Sequence, residues 1–139
     1  MSKFFVYIQS LINQLKLFFM ATRSLIGKQN ADGTITSIYC HFDGYPEHNG
    51  VILQEHYSTP VSVGELLALG NLSVLAEQIG AYGRDRGESN QHAQVSTREA
   101  FFSTVHGVDY LYLYNNEFEW ECYNAWTLEP QNIPAAVAA

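Results

Sequence analysis

The chain has 139 residues, with 14 Asp and Glu against 7 Lys and Arg, for a formal charge of -7. That length suits one compact domain, and an apolar content of 47% can build a core, which excludes a disordered chain. The acidic balance argues against a sequence-neutral nucleic-acid binder, which needs a positive field to displace counterions. Two widely separated cysteines, Cys40 and Cys122, exclude a disulfide scaffold and a four-cysteine zinc site, and they make a reducing cytoplasm the expected compartment.

Residues 1–19, MSKFFVYIQSLINQLKLFF, carry Lys3 and Lys16 and no acid. No small-x-small cleavage site follows, which argues against a signal peptide. Gln9, Ser10, Asn13, Gln14 and Lys16 interrupt the roughly 20 apolar residues that a membrane span needs. Phe4, Ile8, Leu11, Ile12, Leu15 and Phe19 recur at helical spacing and predict an amphipathic helix. Such a helix can pack on the domain, bind a partner or lie on a membrane surface, the only membrane contact expected here. Met20 opens MATRSLIGKQNADG, which reads as a natural start, so residues 1–19 are either this helix or an upstream extension.

From Thr22 to Phe42 the pattern is a hairpin, with Asp32-Gly33 at its turn and Gly33 supplying a positive φ. On its second strand Ile38, Cys40 and Phe42 share one face, the expected core face, and Tyr39 and His41 share the other. Asp43-Gly44-Tyr45-Pro46 is a turn that hands the chain to a helix from Glu47 to Tyr57. Pro46 suits the first helical position, and Val51, Ile52 and Leu53 are the expected buried residues. Thr59-Pro60 ends that helix. A second one opens at Ser62, capped with Glu65, and stops at Gly70. Residues 72–79 read as either a short helix or a strand.

Residues 80–94, GAYGRDRGESNQHAQ, form a long polar loop of a kind usually functional or mobile. Ser96 and Glu99 predict a capped helix running through Phe101, Phe102 and Val105 to Gly107. A second hairpin follows: Val108 to Tyr114, a turn at Asn115-Asn116, then Glu117 to Tyr123. Its alternation turns Phe118, Trp120 and Cys122 inward and Glu117, Glu119 and Glu121 to water. Residues 129–139 are expected to be a flexible, alanine-rich tail. Together these elements predict an α+β fold: about four antiparallel strands in two hairpins, covered on one face by helices, with residues 20–128 as a single domain.

Three clusters can carry chemistry. The first is the run from Tyr39 to His48. Cys40 and His41 point to opposite strand faces and cannot share an ion, and His48 and His56 are two helical turns apart, about 12 Å. The usable metal set is therefore His41, Asp43 and His48, with His92 from the long loop; the alternative is a turn in which Asp43 caps backbone N–H groups. Cys40, on the core face, reads as a small hydrophobe and not as a nucleophile. No metal, cofactor or catalytic set is expected. The second cluster, Arg84-Asp85-Arg86, can bind a phosphate or carboxylate, or pair with Asp85 and the DGYP turn. With His41, Asp43, Tyr45 and His48, Arg84 and Arg86 complete a candidate ligand site.

The third cluster is the acidic second hairpin. No Lys or Arg follows Arg98. Tyr110, Tyr112 and Tyr114 share one strand face. They are either exposed beside Glu117, Glu119 and Glu121, as a partner-binding surface, or part of the core.

The residues from Tyr39 to Gly50, YCHFDGYPEHNG, following Arg23 to Gly33, RSLIGKQNADG, resemble a group of small phage and prophage proteins with a YCHxDGYPxxxG stretch. The run Tyr82 to Glu88, YGRDRGE, looks like that group's second signature. The resemblance covers Ala21 to Trp126 and leaves residues 1–19 unmatched. It implies a context in which small acidic, non-structural phage proteins bind and inhibit host factors, and it assigns no role to any residue. The expected function is therefore a binding protein acting on a host protein. The alternatives are a small enzyme or ligand binder at the DGYP turn and RDR loop, and acidic mimicry of nucleic acid, for which the charge is modest.

Overall fold

The computed structural model describes residues 22–75, 80–81 and 92–135. The expected N-terminal amphipathic helix and the RDR loop lie outside these residues. Among the described residues one mixed sheet contains eight strands: β1 (Ser24–Gln29), β2 (Ile35–Cys40), β3 (Leu72–Val74), β4 (Gly80–Ala81), β5 (Gln94–Ser96), β6 (Tyr110–Tyr114), β7 (Trp120–Asn124) and β8 (Pro130–Gln131). Their order is β4-β3-β2-β1-β6-β7-β8, with β5 pairing β2 beside β3.

Both predicted hairpins form. In the first, Ile26 faces Ile38 and Ser24 faces Cys40 across an antiparallel pair. Its turn is closed by Asn30 N–H to the Thr34 carbonyl at 2.8 Å and by Thr34 N–H to the Asp32 carboxylate at 3.0 Å. Gly33 takes a φ of +88° there. In the second hairpin Tyr112 faces Cys122. The sheet is larger than the four antiparallel strands expected, because the hairpins are fused side by side through a parallel β1–β6 pair, with Ile26 opposite Tyr112. A second parallel pair joins β2 to β3.

That fusion changes which faces are buried. A strand inside a sheet covered on both sides reads as a continuous apolar run and not as an alternation. Such is β6, Tyr-Leu-Tyr-Leu-Tyr, of which Leu111, Tyr112, Leu113 and Tyr114 are all buried. On one face Ile26, Ile38, Cys40, Tyr112 and Tyr114 meet Leu53, Tyr57, Val63, Leu66 and Leu67 from the helices. On the other a smaller core gathers Ile35, Phe101, Val108, Leu111, Leu113 and Ala125. The expectation of helices on one face and water on the other is therefore corrected. Gly27 explains how the second layer comes so close: a Cβ there would lie 2.9 Å from the Phe101 ring, so the bare strand leaves the slot that Phe101 fills.

The helices begin and end differently from the sequence expectation. Pro46 does open the first helical segment, but as a wide five-residue π turn, Pro46–Gly50, which continues into α1 (Val51–His56). Leu53 is its buried hydrophobe, while Val51 and Ile52 are half-buried. The next helix, α2 (Pro60–Ala68), starts two residues before Ser62. Thr59 is the cap, and Thr59 and Ser62 exchange side-chain-to-backbone hydrogen bonds, because Pro60 is preset for the first helical position. Gly70 follows its end with a φ of +79°, as a C-terminal stop. Arg98–Phe101 (α3) is a single turn capped by Thr97, not a helix reaching Val105. Residues 72–74 resolve to strand.

The chain past residue 128 is not simply a tail: β8 pairs with β7, and Ile133 packs against Gly50 and the main core. Two expected core aromatics face outward instead. Phe42 is 38% exposed and Phe118 62%, since each sits in a turn beyond the end of its strand.

The sheet holds the Pro46–His56 segment by its main chain. Tyr112 hydroxyl donates to the Gly44 carbonyl at 2.6 Å, Tyr114 hydroxyl to the Ser58 carbonyl at 2.9 Å, and Trp120 Nε1 to the Tyr57 carbonyl at 2.7 Å. All three donors lie on one sheet face, and their acceptors bracket the helical segment. Tyr112→Phe should cost about 2 kcal/mol in urea unfolding, because the buried Gly44 carbonyl is left without a donor. Tyr114→Phe should cost clearly less, since its bond to the Ser58 carbonyl is only partly buried and Ser58 is an exposed residue that water can reach; equal costs would contradict this account.

Candidate functional site

The polar cluster that the sequence singles out is built where β1, the end of β2 and the π turn meet. Thr22 and Arg23 lead into β1 and are clasped from both sides. Gly44 N–H donates to the Thr22 carbonyl at 2.9 Å, Asp109 N–H donates to the Arg23 carbonyl at 2.9 Å, and Arg23 N–H donates to the Asp109 carboxylate at 3.0 Å. This close approach fixes residue 44. A Cβ there would lie 2.9 Å from the Arg23 carbonyl carbon, so glycine is required for space. Its φ is not positive; Asp43 is the left-handed residue of the turn, at φ +58°. Aspartate tolerates that conformation better than most side chains. The Asp43 carboxylate accepts none of the turn's hydrogen bonds among the described residues, so the expected Asx-type closure is corrected: the Thr22 carbonyl closes the turn.

Tyr45 is extended, φ -70° and ψ 154°, as the following proline demands. Its carbonyl receives both His48 N–H and Asn49 N–H at 3.0 Å. The wide turn aims Asn49 into the core, where it is fully buried with Ser24. Asn49 Nδ2 donates to Ser24 Oγ at 3.2 Å and to Cys40 Sγ at 3.4 Å, which leaves Oδ1 facing His48 Nδ1 at 2.9 Å. An amide oxygen only accepts, so His48 Nδ1 is the donor in this contact. Sequence reasoning missed Asn49 and Ser24. The signal was present: Asn49, Leu53 and Tyr57 form an i, i+4, i+8 stripe, and all three are buried.

The other predicted residues fall in different places. His41 is half-buried, its Nδ1 2.7 Å from the Tyr39 hydroxyl and its ring edge-on to Phe42 at 4.5 Å. Tyr45 and His48 rings are 6.0 Å apart. His92 is exposed ahead of β5, and no group of three His, Cys, Asp or Glu among the described residues could hold a metal ion. Arg84 and Arg86 lie outside the described residues. The partner-binding set divides. Tyr112 and Tyr114 are core residues with engaged hydroxyls, which removes them from any exposed face; Tyr110 is half-buried beside them. Glu117 and Glu119 are exposed. Glu121 is half-buried and accepts from Asn115 Nδ2 at 2.7 Å and from the Tyr123 hydroxyl.

Negative charge gathers around the DGYP corner. Burial raises the Tyr45 and Tyr110 phenols above their ordinary value, and the charges of Asp43 and Glu47 on the first, and of Glu47 and Asp109 on the second, add to it. Burial likewise raises the Cys40 thiol and pushes Cys122 up to about 12. A thiol held protonated is a poor nucleophile, so Cys40 does structural work in this cluster.

Gly44→Val should destabilise the fold by about 2 kcal/mol or more in urea unfolding, through contact with the Arg23 backbone. Asp43→Gly should be neutral or stabilising by up to about 1 kcal/mol, because it relieves a left-handed residue. Both thiols should resist an aromatic disulfide reagent at pH 8 in the native protein and react once urea unfolds it. The Cys122 and Tyr123 protons are held more tightly in the folded state, to about 12 each against ordinary values of 9.0 and 10.0. Their contribution to stability is full below pH 9 and is lost as the pH rises towards 12. Alkaline denaturation that begins only above that window would contradict these assignments. No family model matches the chain, and no match is found among curated proteins or solved structures.

Proposed function

We propose that the chain is a small acidic binding protein of phage type that acts in the cytoplasm on a host protein, with inhibition of a host or defence factor as its effect. The observation that carries this reading is the second hairpin. Its turn presents Glu117, Phe118 and Glu119, all exposed, on a chain of charge -7 with no Lys or Arg after Arg98. An exposed aromatic flanked by carboxylates has little use in folding and is suited to a contact surface. The likeness of Tyr39 to Gly50 to small phage proteins supports the context. Among the described residues no helix is long and apolar enough to cross a membrane.

A second reading, a ligand binder or small enzyme at the DGYP turn, draws on one specific feature. Asn49 holds the His48 ring by a hydrogen bond at Nδ1, and that ring lies 6.0 Å from the Tyr45 ring, centroid to centroid. Phosphate and carboxylate ligands held by Arg84 and Arg86 would belong to the same site.

The immobilised full-length protein should retain a host protein at low salt and release it as ionic strength rises, as screening of the acidic surface requires. Retention of nothing beyond what a charge-matched control protein holds would refute the binding reading. Zinc, inorganic phosphate and nucleotides should leave the melting temperature unchanged; a saturable rise with any of them would transfer the function to the DGYP turn.

A further inference from the structure

The turn between β6 and β7 is closed by four hydrogen bonds made by Asn115. Asn115 Oδ1 accepts from Glu117 N–H at 2.9 Å and from Glu119 N–H at 3.1 Å. Asn115 N–H donates to the Glu119 carbonyl at 3.0 Å, and Phe118 N–H donates to the Asn115 carbonyl at 3.1 Å. This closure forces Phe118 to φ +63°, a conformation in which a bulky side chain is a rarity and glycine the usual occupant. The phenyl ring there is 62% exposed. Beneath it lies a braced aromatic base. The Tyr114 ring is 6.3 Å from Phe118 and 5.1 Å from Trp120, and Tyr114 and Trp120 are each fixed by a hydrogen bond to the chain at Ser58 and Tyr57.

We propose that Phe118 is the anchor of a docking surface whose partner is a basic protein face with an apolar pocket of phenyl size. This rests on the binding-protein reading and names the contact. A preset aromatic on a closed turn loses little conformational freedom on binding, as an anchor should. Glu117 and Glu119 on either side supply a rim that favours Lys and Arg opposite and raises the association rate. The same carboxylates disfavour a second copy of this acidic chain and an anionic lipid surface, since either would bring like charges together.

The test compares full-length wild type with Phe118→Gly and with Val105→Ser, a change at another exposed apolar residue, 84% accessible, after α3. Phe118→Gly should keep or raise the melting temperature. A fall of more than about 3 °C would show that the ring serves the fold and would overturn the proposal. Each protein is then immobilised and exposed to bacterial host lysate. The expected result is a protein held by wild type and Val105→Ser whose affinity, measured after purification, falls at least tenfold for Phe118→Gly and also weakens for Glu117→Gln with Glu119→Gln. A captured protein that binds Phe118→Gly as tightly as wild type would overturn the anchor and leave the binding reading standing. Capture of nothing by any of the proteins would overturn both. Dimers of wild type in light scattering that become monomers in Phe118→Gly would overturn the basic partner in favour of self-association.

Discussion

Three side-chain donors on one sheet face set the position of the helical segment over the sheet. The Tyr112 hydroxyl, the Tyr114 hydroxyl and the Trp120 indole each reach a main-chain carbonyl, those of Gly44, Ser58 and Tyr57. Apolar packing gives affinity between layers but little direction, because it is proportional to area. Hydrogen bonds to backbone atoms give direction, and here they act at both ends of Pro46–His56. With those ends fixed, the π turn has one available orientation, and Asn49 is driven to the sheet where Ser24 and Cys40 meet it. The polar cluster at the DGYP corner is thus a consequence of aromatic donors more than sixty residues further along the chain.

The same strand explains why the layer order was hard to read. The two hairpins were legible because each is local: Asp32-Gly33 and Asn115-Asn116 mark turns, and the flanking residues show strand character. Nothing local records that β1 and β6 lie side by side. The trace of that pairing is indirect, in the unbroken apolar run Tyr110 to Tyr114, which fits an interior strand better than a half-exposed one. Taking the run as an alternation left the tyrosine face and the leucine face as competitors for burial, when both are buried. The caps differ for a related reason: Ser62 and Ser96 have the right residue type, but Thr59, three residues before the first, and Thr97, one residue after the second, have equal chemistry, and Pro60 decides the first case.

At the candidate site the residue types were legible and their roles were not. Glycine at position 44 is needed because the Arg23 carbonyl lies where its Cβ would be, a contact invisible until β1 is placed. The adjacent Asp43 takes the left-handed conformation instead. The importance of Asn49 follows from helical periodicity alone, yet a polar residue on an apolar stripe is easily passed over. Strict alternation from Glu117 turns Phe118 inward, but the strand begins only at Trp120, and Phe118 lies in the turn before it with a left-handed backbone.

The parallel β1–β6 seam also has a kinetic meaning. Arg23 and Asp109, hydrogen-bonded at one end of that seam, are 86 residues apart in the chain. Each hairpin can close within about 1–10 μs, but neither buries a strand on both sides until they join. The joining must first meet the entropy of closing a very long loop, so it sets the pace of folding. Until then β1 and β6 each expose an unpaired edge, and β6 is the most apolar strand in the sheet. The protein therefore passes through a stage in which its centre is its most adhesive part, open to pairing with another chain. Because closure entropy grows only by about 0.6 kcal/mol for each doubling of loop length, the chain between the hairpins can lengthen or shorten with little effect on the seam itself.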